Sequence, residues 1–279
     1  MKTVIITDST CDISKEQQDI LNVEVVPLSV NFGDKSYLDG IDITKKEFFR
    51  MLAESSENPT TSQPSPESFL EVFSRHKEQG NEVVFIGLSS VLSGTCQSAR
   101  IAKEMCDYDK IHIVDSLSAT AGMELPVRVA CDMRDKGENA AAIAEKITAL
   151  VPKVRLFAVV DTLKYLVRGG RLSKTAGVIG GALGIKPLIT VADGAVVSIG
   201  TARGQKNAYE KLTDIVKSAD IDSTKPMMLT FTENRENMHM LEMHMLESGV
   251  NYSWKYGEVG SVIGTHVGPG AAAVAYFVK

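Results

Sequence analysis

The chain has 279 residues, 44% hydrophobic and 23% charged, a composition that suits a globular protein of one large or two modest domains. Its formal net charge of −5, spread along the length, offers no basic face to a nucleic-acid backbone. Cys11, Cys96, Cys106 and Cys131 form no C-x-x-C pair, which argues against a zinc site or a disulfide framework, and no apolar run approaches the roughly 18 residues of a membrane span.

Met1 runs directly into "TVIITDS", a strand pattern with no charged leader, so the expectation is a cytoplasmic protein with cysteines used for packing. "ISKEQQDILN" follows as a helix with Ser14 and Gln17 at capping-box spacing, and "VEVVPLSVNF" reads as a second strand. Thr44 and Glu47 open another capped helix through Leu52. The hydroxyl-rich and proline-rich stretch 58–65, "NPTTSQPS", reads as a loop, after which Ser65 and Pro66 start a helix running to about His76. "EVVFIGLSS" and "KIHIVDS" are further short apolar runs, each followed by a helical pattern. This alternation predicts an N-terminal α/β domain, 1–150, whose largely parallel sheet carries helices on both faces.

Beyond about residue 150 the pattern changes, and 151–279 is predicted to be a second α/β domain with antiparallel content. "RLFAVVD" is a strand, "TLKYLVRGG" a short helix ended by paired glycines, and "LSKTAGVIGGALGI" a small-residue helix stopped by Lys186-Pro187. Gly177, Gly180, Gly181 and Gly184 leave a shallow face on it for an acyl chain or a neighbouring helix. Asp193-Gly194 joins two strands as a hairpin. The helix "QKNAYEKLTDIVKSA", the strand "MMLTFTE", a methionine-rich helix near 235–248 and a final strand pair complete the chain. At helical spacing those methionines read as core sooner than as the lining of a tunnel.

Candidate chemistry gathers at the carboxyl ends of the strands, where free N–H groups at helix starts attract anions. In "LSSVLSGT" Gly94 removes a side chain where a ligand oxygen would approach the backbone, while Ser93 and Thr95 offer hydroxyls. The same Ser93 is equally well placed as a plain helix N-cap. "LVRGGRLS" sets Arg168 and Arg171 around a glycine pair, and "GTHVGPGA" places His266 in what reads as a glycine-rich loop. His239 and His244, five apart on one helix, do not share a face as a metal pair would.

"ITDST", "TSQPS", "LSSVLSGT", "VDSLSAT", "RGGRLS", "IKPLI" and "HVGPGA" occur in that order across essentially the whole chain, and the combination resembles the DegV family of bacterial fatty-acid-binding proteins. The resemblance implies a two-domain protein that holds one long-chain fatty acid between or beneath its domains, without a further cofactor. It implies the acyl-carrying subunit of a fatty acid kinase, whose ATP-binding partner turns the bound acid into an acyl phosphate for phospholipid synthesis. On the same basis Thr61, Ser93 and His266 form the network around the carboxylate, with Gly94 and Thr95 beside it. Arg171 is implied to face the phosphate, with Arg168 as its competitor, and Arg203 to contact the kinase subunit. Transient contact with a membrane during lipid exchange belongs to the same expectation.

The sequence has no P-loop G-x-x-x-x-G-K-[ST], which fits a subunit that leaves ATP to its partner. An alternative from another class is a serine-dependent lipid ester hydrolase using Ser93, His266 and an aspartate such as Asp8 or Asp115. "SVLSGT" lacks the first glycine of a nucleophile elbow, which weighs against it. No G-x-G-x-x-G follows any strand, so a dinucleotide enzyme is not expected either.

Overall fold

The computed structural model describes residues 2–172 and 184–279. Strand β1 (Thr3–Asp8) is apolar and ends in a buried aspartate. Ser14 caps α1 (Lys15–Leu21) by accepting from the Gln17 N–H, and Asn22 ends it in the left-handed region. β2 (Val23–Val26) then runs parallel to β1. The expected single strand 23–32 is in fact two, because Pro27 has no N–H to extend the ladder. Its second half, β3 (Ser29–Phe32), leaves the parallel sheet and pairs antiparallel with β4 (Lys35–Leu38), a strand the sequence did not announce.

Thr44 and Glu47 form the full capping box of α2 (Lys45–Glu54). The stretch read as an irregular loop contains β5 (Thr60–Ser62), which pairs antiparallel with β3 and so acquires a fixed register. Ser65 caps α3 (Pro66–Glu78), and β6 (Glu82–Gly87), α4 (Thr95–Cys106), β7 (Ile111–Asp115), α5 (Thr120–Asp135) and α6 (Ala140–Leu150) follow.

A 3-10 turn, Val151–Lys153, leads into β8 (Val154–Val159) and α7 (Lys164–Arg168). The small-residue helix expected next falls mainly on 173–183, outside the described residues. Lys186 and Pro187 lie inside β9 (Ile185–Ala192), where Pro187 sits just before the segment that pairs with β8. Asp193 and Gly194, both at positive φ, turn the chain into β10 (Ala195–Arg203) as expected. Then come α8 (Gln205–Ser218), β11 (Met227–Phe231), α9 (Arg235–Glu247), β12 (Trp254–Glu258), α10 (Ser261–Val267) and β13 (Ala272–Phe277). The last two strands are not a pair: β11 lies between them, parallel to β12 and antiparallel to β13.

The strands form a parallel sheet, β2-β1-β6-β7, a mixed sheet, β10-β9-β8-β13-β11-β12, and a small antiparallel sheet, β4-β3-β5. Helix α5 is the shared core element. It packs on β1 and β6 of the first sheet and on β8, β11 and β13 of the second, and is buried without a break from Thr120 to Cys131. Its one buried ion pair is local: Arg128 Nε donates to Glu124 Oε1 at 2.7 Å, and Arg128 Nη2 reaches Gln17 Oε1 at 3.0 Å. All four cysteines are buried and unpaired, as expected of packing residues. No helix among the described residues is long and apolar enough to cross a membrane.

Candidate functional site

A cavity of about 380 Å³ lies between the two large sheets, within the size range of small-molecule sites. Ala158, Ala273 and Thr230 stand opposite one another on β8, β13 and β11, and this row of small side chains forms part of its wall. Leu28, Leu88, Leu156, Ile189, Val262 and Val267 complete an apolar lining. Among the described residues no methionine lines it: Met227, Met228, Met238 and Met245 are core, while Met240 and Met243 are exposed on α9.

Polar groups gather along the remaining stretch of that lining, where Thr61 and Gln63, Ser93, Arg171 and His266 converge from four parts of the chain. Thr61 is fixed by the β5–β3 pairing. His266 is not in a loop but in the last turn of α10, because its neighbouring glycine serves packing: a Cβ on Gly264 would lie 2.7 Å from Phe48 and 3.0 Å from Phe49. Thr61 Oγ1 and His266 Nε2 are 2.9 Å apart. Burial, with the Arg171 charge second, pulls the His266 pKa down to about 4, so the imidazole is neutral at physiological pH.

Ser93 is not the helix cap. Gly94 occupies that position on α4 with no side-chain bond, and Ser93 Oγ instead lies 2.9 Å from the buried Thr95 Oγ1. The space left by Gly94 is already taken: a Cβ there would overlap Gln63 Oε1 and lie 2.7 Å from its Nε2, which itself donates to Ser98 Oγ at 3.0 Å. Gln63 is the site residue that sequence reasoning missed, although it stands inside the "TSQPS" motif.

The two arginines separate clearly. Arg171 lines the cavity and is braced by Leu92 O at 3.2 Å and Gly169 O at 2.6 Å. Arg168 donates to Asn58 and lies over the Tyr165 ring instead. Arg203 is apart from the whole group, in a surface groove with Thr201, Asn207 and Lys211 at the end of β10.

The hydrolase constellation is not assembled. Asp8 accepts from the Thr10 N–H and O–H and from the Leu88 N–H at 2.8 Å, with burial pushing its pKa up to about 6. Asp115 accepts from the Ser90 and Leu117 N–H groups. Neither carboxylate bonds to His266, whose Nδ1 has no partner among the described residues. The same residues include no cluster able to hold a metal ion.

The family described as "Uncharacterised protein, DegV family" matches residues 2–279 of this chain. DegV domain-containing proteins of Clostridium acetobutylicum and Caldanaerobacter subterraneus are 36% and 38% identical, each over 100% of this chain and 99% of their own length. Among solved structures, a DegV family protein from Thermus thermophilus described by its fatty acid binding superimposes with a TM-score of 0.90 at 31% identity, over 100% of both chains. DegV of Bacillus subtilis, described as a fatty acid binding protein, gives 0.86 at 27% identity, again over 100% of both chains.

Proposed function

The chain belongs to the DegV family, and on that premise we propose that it binds one long-chain fatty acid and presents the carboxylate to an ATP-binding kinase subunit. The observation that carries this reading is the cavity with apolar walls on which Thr61, Ser93, His266 and Arg171 meet. Each buried CH₂ contributes about 0.8 kcal/mol, so a tail of roughly sixteen carbons contributes on the order of 10 kcal/mol and dominates affinity. The head sets orientation. A carboxylate that loses water on entry recovers hydrogen bonds from the Ser93 and Thr61 hydroxyls, which an apolar rim would not supply.

In the proposed reaction a carboxylate oxygen attacks the terminal phosphorus of ATP held by the partner, the bond to the bridging oxygen breaks, and ADP leaves. The nucleophile thus comes from the ligand, and this chain positions it. Arg171, on the wall beside His266, is suited to the charge that grows there. Arg203, in its separate groove, is proposed as a contact to the kinase subunit.

The deciding experiment is mass spectrometry of an organic extract of the purified protein. A long-chain acid released at near one equivalent is expected. A preparation that holds none, and takes up none when offered, overturns the reading. The partner half is tested by complex formation with the kinase subunit, which R203A is expected to impair while leaving lipid loading intact.

A further inference from the structure

We propose that His266 is held as the neutral tautomer with its proton on Nε2, donating to Thr61, and that Gly169 is the positioning residue that enforces this. The inference rests on the reading of Thr61 and His266 as part of the carboxylate clamp, and gives that clamp a direction.

The 2.9 Å contact between Thr61 Oγ1 and His266 Nε2 has two arrangements, since either atom is able to donate. If Thr61 donated, the ring proton would sit on Nδ1, which is buried and has no partner among the described residues. Orphaned buried N–H groups are rarer and costlier than acceptors with an unused lone pair. Thr61 would then also turn only lone pairs toward a bound carboxylate. If Nε2–H donates, Nδ1 keeps a bare lone pair and the Thr61 proton is free to reach the ligand. The result is a directed chain, ring N–H to threonine oxygen and threonine O–H to carboxylate. The third state, an imidazolium, is opposed by burial and by Arg171.

Gly169 explains why Nδ1 stays dry. A methyl group there would overlap His266 Nδ1 and lie 2.8 Å from Cε1, so the glycine backbone already occupies the approach a water would need. The backbone does not demand glycine, for φ at Gly169 is an ordinary −71°. Its neighbour Gly170 differs, with φ of +73°. Of the paired glycines, one serves the turn and the other makes room for the ring. Arg171 Nη1 holds the Gly169 carbonyl at 2.6 Å, so the same short segment that brings the cation to the cavity also fixes the surface behind the imidazole.

The test is ¹⁵N spectroscopy of the full-length protein labelled in histidine, with His266 assigned by comparison with H266Q. The Nε2–H pattern is expected at neutral pH with and without palmitic acid, and an Nδ1–H or imidazolium pattern overturns the proposal. T61V is expected to lose the tautomer preference and to bind palmitic acid roughly ten-fold more weakly, by the loss of one hydrogen bond to a charged group; T61S is expected to restore both. For Gly169, G169A is expected to lower the melting temperature in the wild-type background but not in H266A, where the added methyl finds space. Equal loss in both backgrounds overturns the positioning role. Wild-type protein that shows Nε2–H yet takes up no palmitic acid refutes the proposed function alone, whereas loading with Nδ1–H refutes this inference alone.

Discussion

On the proposed reading the hydroxyl groups of the cavity and its apolar walls act on different steps, so single side chains should separate them. S93A and T61A are expected to reduce phosphorylation of the bound acid on the order of a hundred-fold or more while weakening its retention only about ten-fold, since tail burial is untouched. Equal loss of both in a coupled assay would contradict that division. His266 also leaves a signature in stability. Its pKa is about 4 in the folded chain against an ordinary 6.5, so between those values the unfolded chain binds a proton that the native state refuses, and this penalty grows as pH falls. Asp12, raised to about 7 by burial, acts with the opposite sign: the native state holds a proton the unfolded chain lacks, a contribution lost as pH rises toward 7. Subtracting the H266Q unfolding curve from the wild-type curve isolates the histidine, and the difference is expected to rise from pH 4 to 6.5; a flat difference would remove the argument. At this scale motif order singled out Thr61, Ser93, His266 and Arg171, and the fold brings all four to the lining of one cavity. Gln63 was not singled out, because the reason for Gly94 is a neighbour 31 residues away in the chain that only the fold brings over it.

Helix α10 matters among the elements because it carries His266 at one end and cavity wall along its length. Its first turn is held by two buried carboxylates from elsewhere: Asp12 Oδ1 accepts the Gly260 N–H at 2.8 Å, and Asp39 Oδ1 accepts both the N–H and the hydroxyl of Ser261. Carboxyl oxygens at a helix start accept from donors the helix itself cannot satisfy. D39A leaves two buried donors unmet and is expected to cost on the order of 2–4 kcal/mol in denaturant unfolding, with faster amide exchange at Gly260 and Ser261. D39N keeps an acceptor and should recover most of it; identical behaviour of the two variants would sink the account. Element type was readable wherever a local rule decided it, as in the Ser65 and Thr44 caps and the Asp193-Gly194 turn. It failed where glycine and proline had tertiary roles. Gly264 admits two phenylalanines instead of breaking a helix, and Pro27 hands the chain from one sheet to another.

For the molecule as a whole, the sequence announced strands and helices but not the order of strands in either sheet, and therefore not the void between them. That void depends on Ala158 and Ala273 facing each other across β8 and β13, a pairing between residues more than a hundred positions apart. A273F, placed on this row, is expected to exclude the acyl tail and abolish loading while the protein remains folded, read by extraction and by melting temperature. Undiminished loading would show that the tail lies elsewhere. The four cysteines, buried on α4, α5 and the turn after β1, give this architecture a built-in clock. Burial raises the Cys96 thiol to about 12 and Cys131 to about 11, and an alkylating reagent reacts only with thiolate it can touch. Iodoacetamide should therefore ignore the native chain, and each sulfur it does modify would record, by mass, how often the packing around that helix or turn opens.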